Sequence, residues 1–214
     1  MANSIKRNRI LKLDRSDFKF ILIWLIILFL TWQFMHGADR FLTLTKEALG
    51  KYFEFKWILI AHITAGGGSL ILGLIQFWTK LRELNPKVHR IIGLLYLMAI
   101  LLSSLCAVIL AFTTAKEVNW AYAFSLQIWV SVWISSTSIA YYAATKRKFR
   151  LHQQWMTRSY IVTLAFIISG SALKIPFIQG LGSSADISPS LFWVGWSVPL
   201  YVYQIILSCK GKTN

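Results

Sequence analysis

The sequence predicts an all-α fold, a polytopic membrane helix bundle with about six transmembrane helices, and three observations predict it. Apolar residues make up 56% of the 214 and the mean hydropathy is +0.56, more than a soluble domain of this size needs to fill one core. Those residues gather into six runs, each near the ~20 residues that cross the hydrocarbon of a bilayer. The 23 Lys and Arg, against 8 Asp and Glu, cluster between the runs, which is how charge orients membrane helices. No polar segment is long enough to fold into a basic face with interleaved aromatics, which argues against nucleic acid as a partner. Cys106 lies inside an apolar run and Cys209 near the end of the chain, with no C-x-x-C pair, so neither a disulfide framework nor zinc is implied.

The first run, at about 20–35, follows a basic stretch containing Lys6, Arg7, Arg9, Lys12 and Arg15. It is longer than a usual signal core, and the H-G-A-D-R that follows offers no small-x-small cleavage site, so it reads as a retained first helix that starts in the cytoplasm. From His36 to Lys56 the chain is mixed, with periodic Leu, Phe and Tyr, and is expected to lie as a short amphipathic piece at the outer interface, capping the bundle. Further spans are expected at about 57–78, 91–113, 120–144, 155–175 and 191–207, the fifth most apolar from Tyr160 onward. One connection carries Lys80, Arg82, Lys87 and Arg90 and another Lys146, Arg147, Lys148 and Arg150, whereas T-A-K-E-V-N and the stretch from Gln179 to Ser190 are nearly uncharged. The excess of positive charge in cytoplasmic loops then places both termini and the two basic loops in the cytoplasm. Only Arg40, Lys46, Lys51 and Lys56 argue the other way, partly offset by Asp39, Glu47 and Glu54. The glycines, serines and Pro189 between Gly180 and Ser190 read as an outer turn, which leaves residues 1–214 as a single integral membrane domain.

Candidate chemistry sits on three seams. His62, Gly66, Ser69, Gly73 and Gln76 recur at alternating steps of four and three, as do His89, Gly93, Tyr96, Ile100 and Ser103, and each set lies along one narrow helical stripe. A polar and glycine stripe on an apolar helix lets another helix, or a flat ligand, approach the backbone closely. A third seam holds His152, Met156, Ser159, Thr163 and Gly170. His89 and His152 open the third and fifth helices at the same face of the membrane, on seams able to face each other. Two imidazoles so placed are what an iron porphyrin needs as axial ligands, with the glycine beside His89 leaving space and Arg90 and Arg158 meeting the propionates; a metal enters only as haem iron. The plain alternative is that these are interfacial basic residues anchoring helices at the headgroups.

His62 lies two to three turns below the outer surface, where an unpaired ring is costly, so it needs a partner; Gln127 and His36 are the candidates by depth. Gly66 to Gly68 read as packing rather than a ligand cradle, and Trp57, Trp78 and Trp120 as an interfacial belt. The spans contain no Asp or Glu to build a carboxylate relay, and neither a Ser-His-Asp constellation nor H-E-x-x-H occurs.

With H-x(3)-G at His62, Q-F at Gln76 and Phe77, H-R-x-x-G from His89 to Gly93 and H-x-x-W-M-x-R-S-Y from His152 to Tyr160, the chain resembles a bacterial family of predicted membrane proteins, domain of unknown function 2306, over roughly Trp57 to Ser171. That resemblance implies a multi-span inner-membrane protein and supplies no mechanism. A looser architectural similarity is to cytochrome b561-type proteins, which have six spans and histidine ligands paired second helix with fourth and third with fifth. His89 and His152 match the third-with-fifth pairing, while the fourth span holds no histidine to face His62. What this similarity implies is a b-type haem electron-transfer protein with a bis-histidine site, exchanging electrons with a quinone or another redox partner. The alternative is a non-enzymatic small-solute permease or accessory membrane subunit. Substrate, oligomeric state and whether the chain is an enzyme are not written in the sequence.

Overall fold

The computed structural model describes residues 15–37 and 39–211, so the basic residues from Lys6 to Lys12 lie outside the described part. Six long helices carry the fold: α1 Arg15–His36, α2 Lys56–Gln76, α3 Pro86–Leu110, α4 Trp120–Thr145, α5 Phe149–Ala172 and α6 Ser184–Gly211. No strand occurs among the described residues. Local chemistry sets several boundaries. Asn85 caps α3 by accepting the Val88 N–H at 3.2 Å, with Pro86 in the first turn, and Asn119 caps α4 by accepting the Tyr122 N–H at 2.7 Å. The turn between α4 and α5 is closed by Arg147 in the left-handed region at φ 56°.

Among the described residues, four segments are long and apolar enough to cross a membrane: Lys46–Gln76, Pro86–Ala115, Trp120–Thr145 and Ser184–Cys209. The apolar part of α1, Ile21–His36, is shorter. Helix α5 opens on F-R-L-H-Q-Q-W-M-T-R, so only its second half is apolar. Trp57, Trp78 and Trp120 stand exposed near helix starts, and the outward face of α3, including Leu94, Met98, Leu101 and Leu105, is exposed hydrocarbon, as a lipid-facing surface requires.

Neighbouring helices run antiparallel. Across α2 and α3, His62 faces Ser103 at one end and Gln76 faces His89 at the other; across α4 and α5, Trp129 and Trp133 face Val162 and Thr163, and Ala140 faces His152. The first two predicted seams therefore face each other. At Gly66 an added Cβ would lie 3.3 Å from the Ser103 hydroxyl, and at Gly73 it would enter the ring of Tyr160 and come within 3.1 Å of Tyr96. The Gly73 notch is filled by helix packing, not by a flat ligand. Helix α1 uses the same device: Met35 fills the notch at Gly67 and Phe34 the notch at Gly170.

These contacts divide the bundle into levels. One end, here the basic end, holds the connections with Lys80, Arg82, Lys146 and Arg147, and the His89 and His152 level lies beside it. The far end holds the 111–119 and 173–183 connections. In the middle is a dry hydroxyl layer. Tyr96 bonds Ser159 at 2.9 Å and Thr163 at 3.3 Å, Thr137 bonds Ser159 at 2.7 Å, and the Trp133 indole N–H donates to Thr163 at 2.8 Å. All five side chains are buried, and every polar atom among them is partnered, which is the condition for polar groups to persist in an apolar interior.

Candidate functional site

Above the hydroxyl layer, toward the far end, the helices part around a cavity of about 360 Å³. Every long helix contributes to it: Phe34 and Met35 from α1, His62, Gly66 and Leu70 from α2, Ser103 and Ala107 from α3, Trp129 from α4, Phe166 from α5 and Phe192 from α6. The lining is almost wholly carbon. Trp129 stacks on Phe166 with centroids 4.2 Å apart, and Phe192 tilts against Trp129 at 5.6 Å. A volume of this size, apolar and aromatic with a few fixed polar groups, is the usual character of a small-molecule site.

His62 is the principal polar side chain in that wall. Its Nδ1 lies 2.9 Å from the Ser103 carbonyl oxygen and 3.0 Å from the Ser103 hydroxyl. A carbonyl only accepts, so Nδ1 carries the proton and donates; the Ser103 hydroxyl in turn donates to the His62 carbonyl at 3.2 Å. A neutral imidazole anchored in this way keeps its lone pair on Nε2. Nε2 has no hydrogen-bond partner among the described residues and belongs to a ring that lines the cavity. Phe166 stands edge-on to the imidazole at 6.2 Å and holds its plane.

The mouth is built by a segment outside the long helices. Residues Asp39–Thr43, Lys46–Leu49 and Gly50–Phe55 form short helical turns, and Leu49 packs with Leu59 and Leu110 while Phe41 and Tyr52 reach the cavity. Opposite them the end of α3 widens into a π turn at Ala111–Ala115, and Thr114 and Ala115 of that turn line the cavity. Such a turn shifts the carbonyls out of helical register and is commonly found at functional sites. The Lys51 ammonium donates to the Thr114 carbonyl at 3.2 Å and lies 5.3 Å from the ring centre of Tyr52 and 6.0 Å from that of Tyr122.

At the basic end, His152 is close enough to His89 for its charge to be felt there. His152 donates from Nδ1 to the Ala140 carbonyl at 2.8 Å, which leaves its lone pair on Nε2, and the buried Nδ1 of His89 has no partner among the described residues. The two imidazoles would be the donors of an axial pair. The surroundings expected for a porphyrin are differently arranged. The free side of Gly93 faces Gln76, whose Oε1 would lie 3.4 Å from an added Cβ, and Gln76 Nε2 donates to the His89 carbonyl at 2.9 Å. Arg158 turns to α6, donating to Gln204 at 2.8 Å and lying over the rings of Trp155 and Tyr203. Arg90 is exposed on the first turn of α3. Neither histidine lines the cavity, from which the hydroxyl layer separates them.

One expectation is corrected: the partner of His62 is neither Gln127 nor His36. Gln127 donates to the Val108 carbonyl at 3.5 Å, and His36 pairs with Asp39. Depth along a helix placed Gln127 level with His62, but its side chain points along α3 instead. Ser103 is the residue missed, and its signal was present, since it is the last member of the seam that faces His62.

A family model described as Predicted membrane protein (DUF2306) matches residues 59–207, which takes in nearly all of α2 and most of α6 with everything between. No curated protein and no solved structure matches the chain.

Proposed function

The chain belongs to the family of predicted membrane proteins DUF2306, and from that premise we propose that it is a small-solute-binding membrane protein, a permease or an accessory subunit, that works through the His62 cavity. One observation carries this reading: a neutral imidazole, anchored through Nδ1 on Ser103 and with no partner on Nε2, lines a cavity of about 360 Å³ to which all six helices contribute. A polar ring deep in a span is expensive unless it is used, and the anchored tautomer keeps it ready to receive a donor. The aromatic walls exclude water and position the solute, and Tyr52 with the π turn at Ala111–Ala115 forms the mouth. Below, the bonded layer of Tyr96, Trp133 and Thr163 is the floor. A permease cycle would have to separate that floor, as alternating access demands, whereas an accessory subunit would only hold the solute. With the basic connections in the cytoplasm of a bacterial cell, the cavity occupies the outer half of the membrane. Equilibrium dialysis of naphthalene against nanodisc-embedded protein and empty nanodiscs tests this. The account expects saturable binding of about one molecule per chain, lost in Ala107→Phe, whose ring would fill the space; binding of both naphthalene and its hydroxylated analogue 2-naphthol no greater than that of empty discs removes the reading.

The second reading is the bis-histidine haem and electron exchange with a quinone. It is favoured by the unpartnered Nδ1 of His89 beside the Nε2 lone pair of His152. A haem there would supply one-electron chemistry, and the chain's own part would be to hold both rings, His152 through Ala140 and the His89 backbone through Gln76. The visible spectrum of purified protein, made with ample haem and reduced with dithionite, decides it. A split α-band lost in His89→Ala and in His152→Ala supports it; a colourless protein ends it.

A further inference from the structure

We infer that the solute of the His62 cavity is a phenol-type molecule, an aromatic ring system of about two rings bearing a hydroxyl that donates to Nε2 of His62; this rests on the cavity reading above and names its ligand class. Four features of the site select that chemistry. The neutral imidazole is an acceptor at Nε2, because its Nδ1–H donates to the Ser103 carbonyl, so the ligand must bring the donor. No acidic residue among the described ones lines the cavity, which leaves a buried cation without a counter-charge, and the Lys51 ammonium is bonded to Thr114 at the mouth. An ionised acid carried to the level of His62 would be stripped of water with no cation beside it. The ligand is therefore neutral at that end.

The walls choose the body. Phe166 and Trp129 form a stacked pair beside His62, and Phe192, which touches Trp129, meets Tyr122 edge to face at 5.2 Å. Aromatic walls of this kind reward another ring in stacked or edge-on contact beyond the area it buries. Size follows from volume. An apolar cavity of about 150 Å³ takes one benzene ring, so about 360 Å³ accepts two fused rings with a hydroxyl and excludes larger polycyclic bodies unless the bundle opens. A hydroxyl bonded to Nε2 would bring the attached ring against Phe166, the nearest wall to the imidazole. An aliphatic or purely hydrocarbon guest of the same volume would fill the space and leave Nε2 buried and unpaired, a penalty that the phenol removes.

The experiment compares 2-naphthol with naphthalene, the same rings without the donor, by equilibrium dialysis against the full chain in nanodiscs, with empty nanodiscs as the partition reference. In the wild type 2-naphthol should saturate at about one per chain and, relative to its partition into empty discs, bind about tenfold more tightly than naphthalene. His62→Phe, which keeps a ring and removes the acceptor, should bring the two probes within about twofold of each other. His62→Gln, which restores an acceptor, should recover part of the preference. Saturable binding of both probes with equal strength in the wild type would overturn the phenol assignment while leaving the cavity reading in place. Absence of saturable binding of either probe would overturn both. If His62→Phe fails to fold, the wild-type ratio alone still decides.

Discussion

The two halves of the bundle are written in the same vocabulary and come out differently. On the side of the basic end, glycine stands opposite a rigid ring: Gly73 receives Tyr160 and Tyr96, and the hydroxyls of Tyr96, Ser159, Thr137 and Thr163 consume one another. On the side of the far end, Gly66 stands opposite a serine and Gly68 opposite nothing, and the one deep imidazole has a free nitrogen. A seam of small and polar residues thus closes where the facing residue is large enough to fill the notch and opens where it is not. Polar residues in a span mark function only where their bonding is incomplete.

The contrast can be broken by substitution, and the largest effect is expected where the packing is tightest. Gly73→Ala places a methyl inside the ring of Tyr160, which is itself pinned through its hydroxyl to the Leu70 carbonyl at 3.0 Å, so destabilisation of about 3 kcal/mol is expected, read as a lower melting temperature in detergent. A near-wild-type melt would mean that the floor is not rigid. Next, Trp133→Phe removes the donor to Thr163 at a fully buried position and should cost about 1–2 kcal/mol. The far half should be more tolerant. Ala107→Phe, entering the cavity, is expected to alter stability by no more than about 1 kcal/mol while abolishing naphthalene binding. Smallest is Gly68→Ala, where an added Cβ meets open space and helix propensity improves, with an expected gain of up to about 1 kcal/mol.

The fold class was legible because apolar runs of spanning length report themselves in composition, and the seams were legible because a four-three rhythm is a helical face. That rhythm even contained both sides of the α2 and α3 contact. Less legible was which seam faces which, since periodicity gives a residue's direction around its own helix and says nothing of the neighbour's. Gln127 shows the cost: matched to His62 by depth, it points to Val108. Arg158 was decidable in advance, because six positions beyond His152 is about 240° around a helix of 3.6 residues per turn, well away from that histidine. The cavity itself was not. Its wall draws residues from six helices, and no one-dimensional pattern carries that.

The most direct measurement is the ¹⁵N NMR spectrum of histidine side chains in the nanodisc-embedded protein, with His62 assigned by His62→Gln. The account predicts a neutral ring protonated at Nδ1, whose bare Nε2 resonance moves when 2-naphthol is added and is unmoved by naphthalene. A His62 protonated at Nε2, or a ring that ignores both probes at saturating concentration, would contradict it.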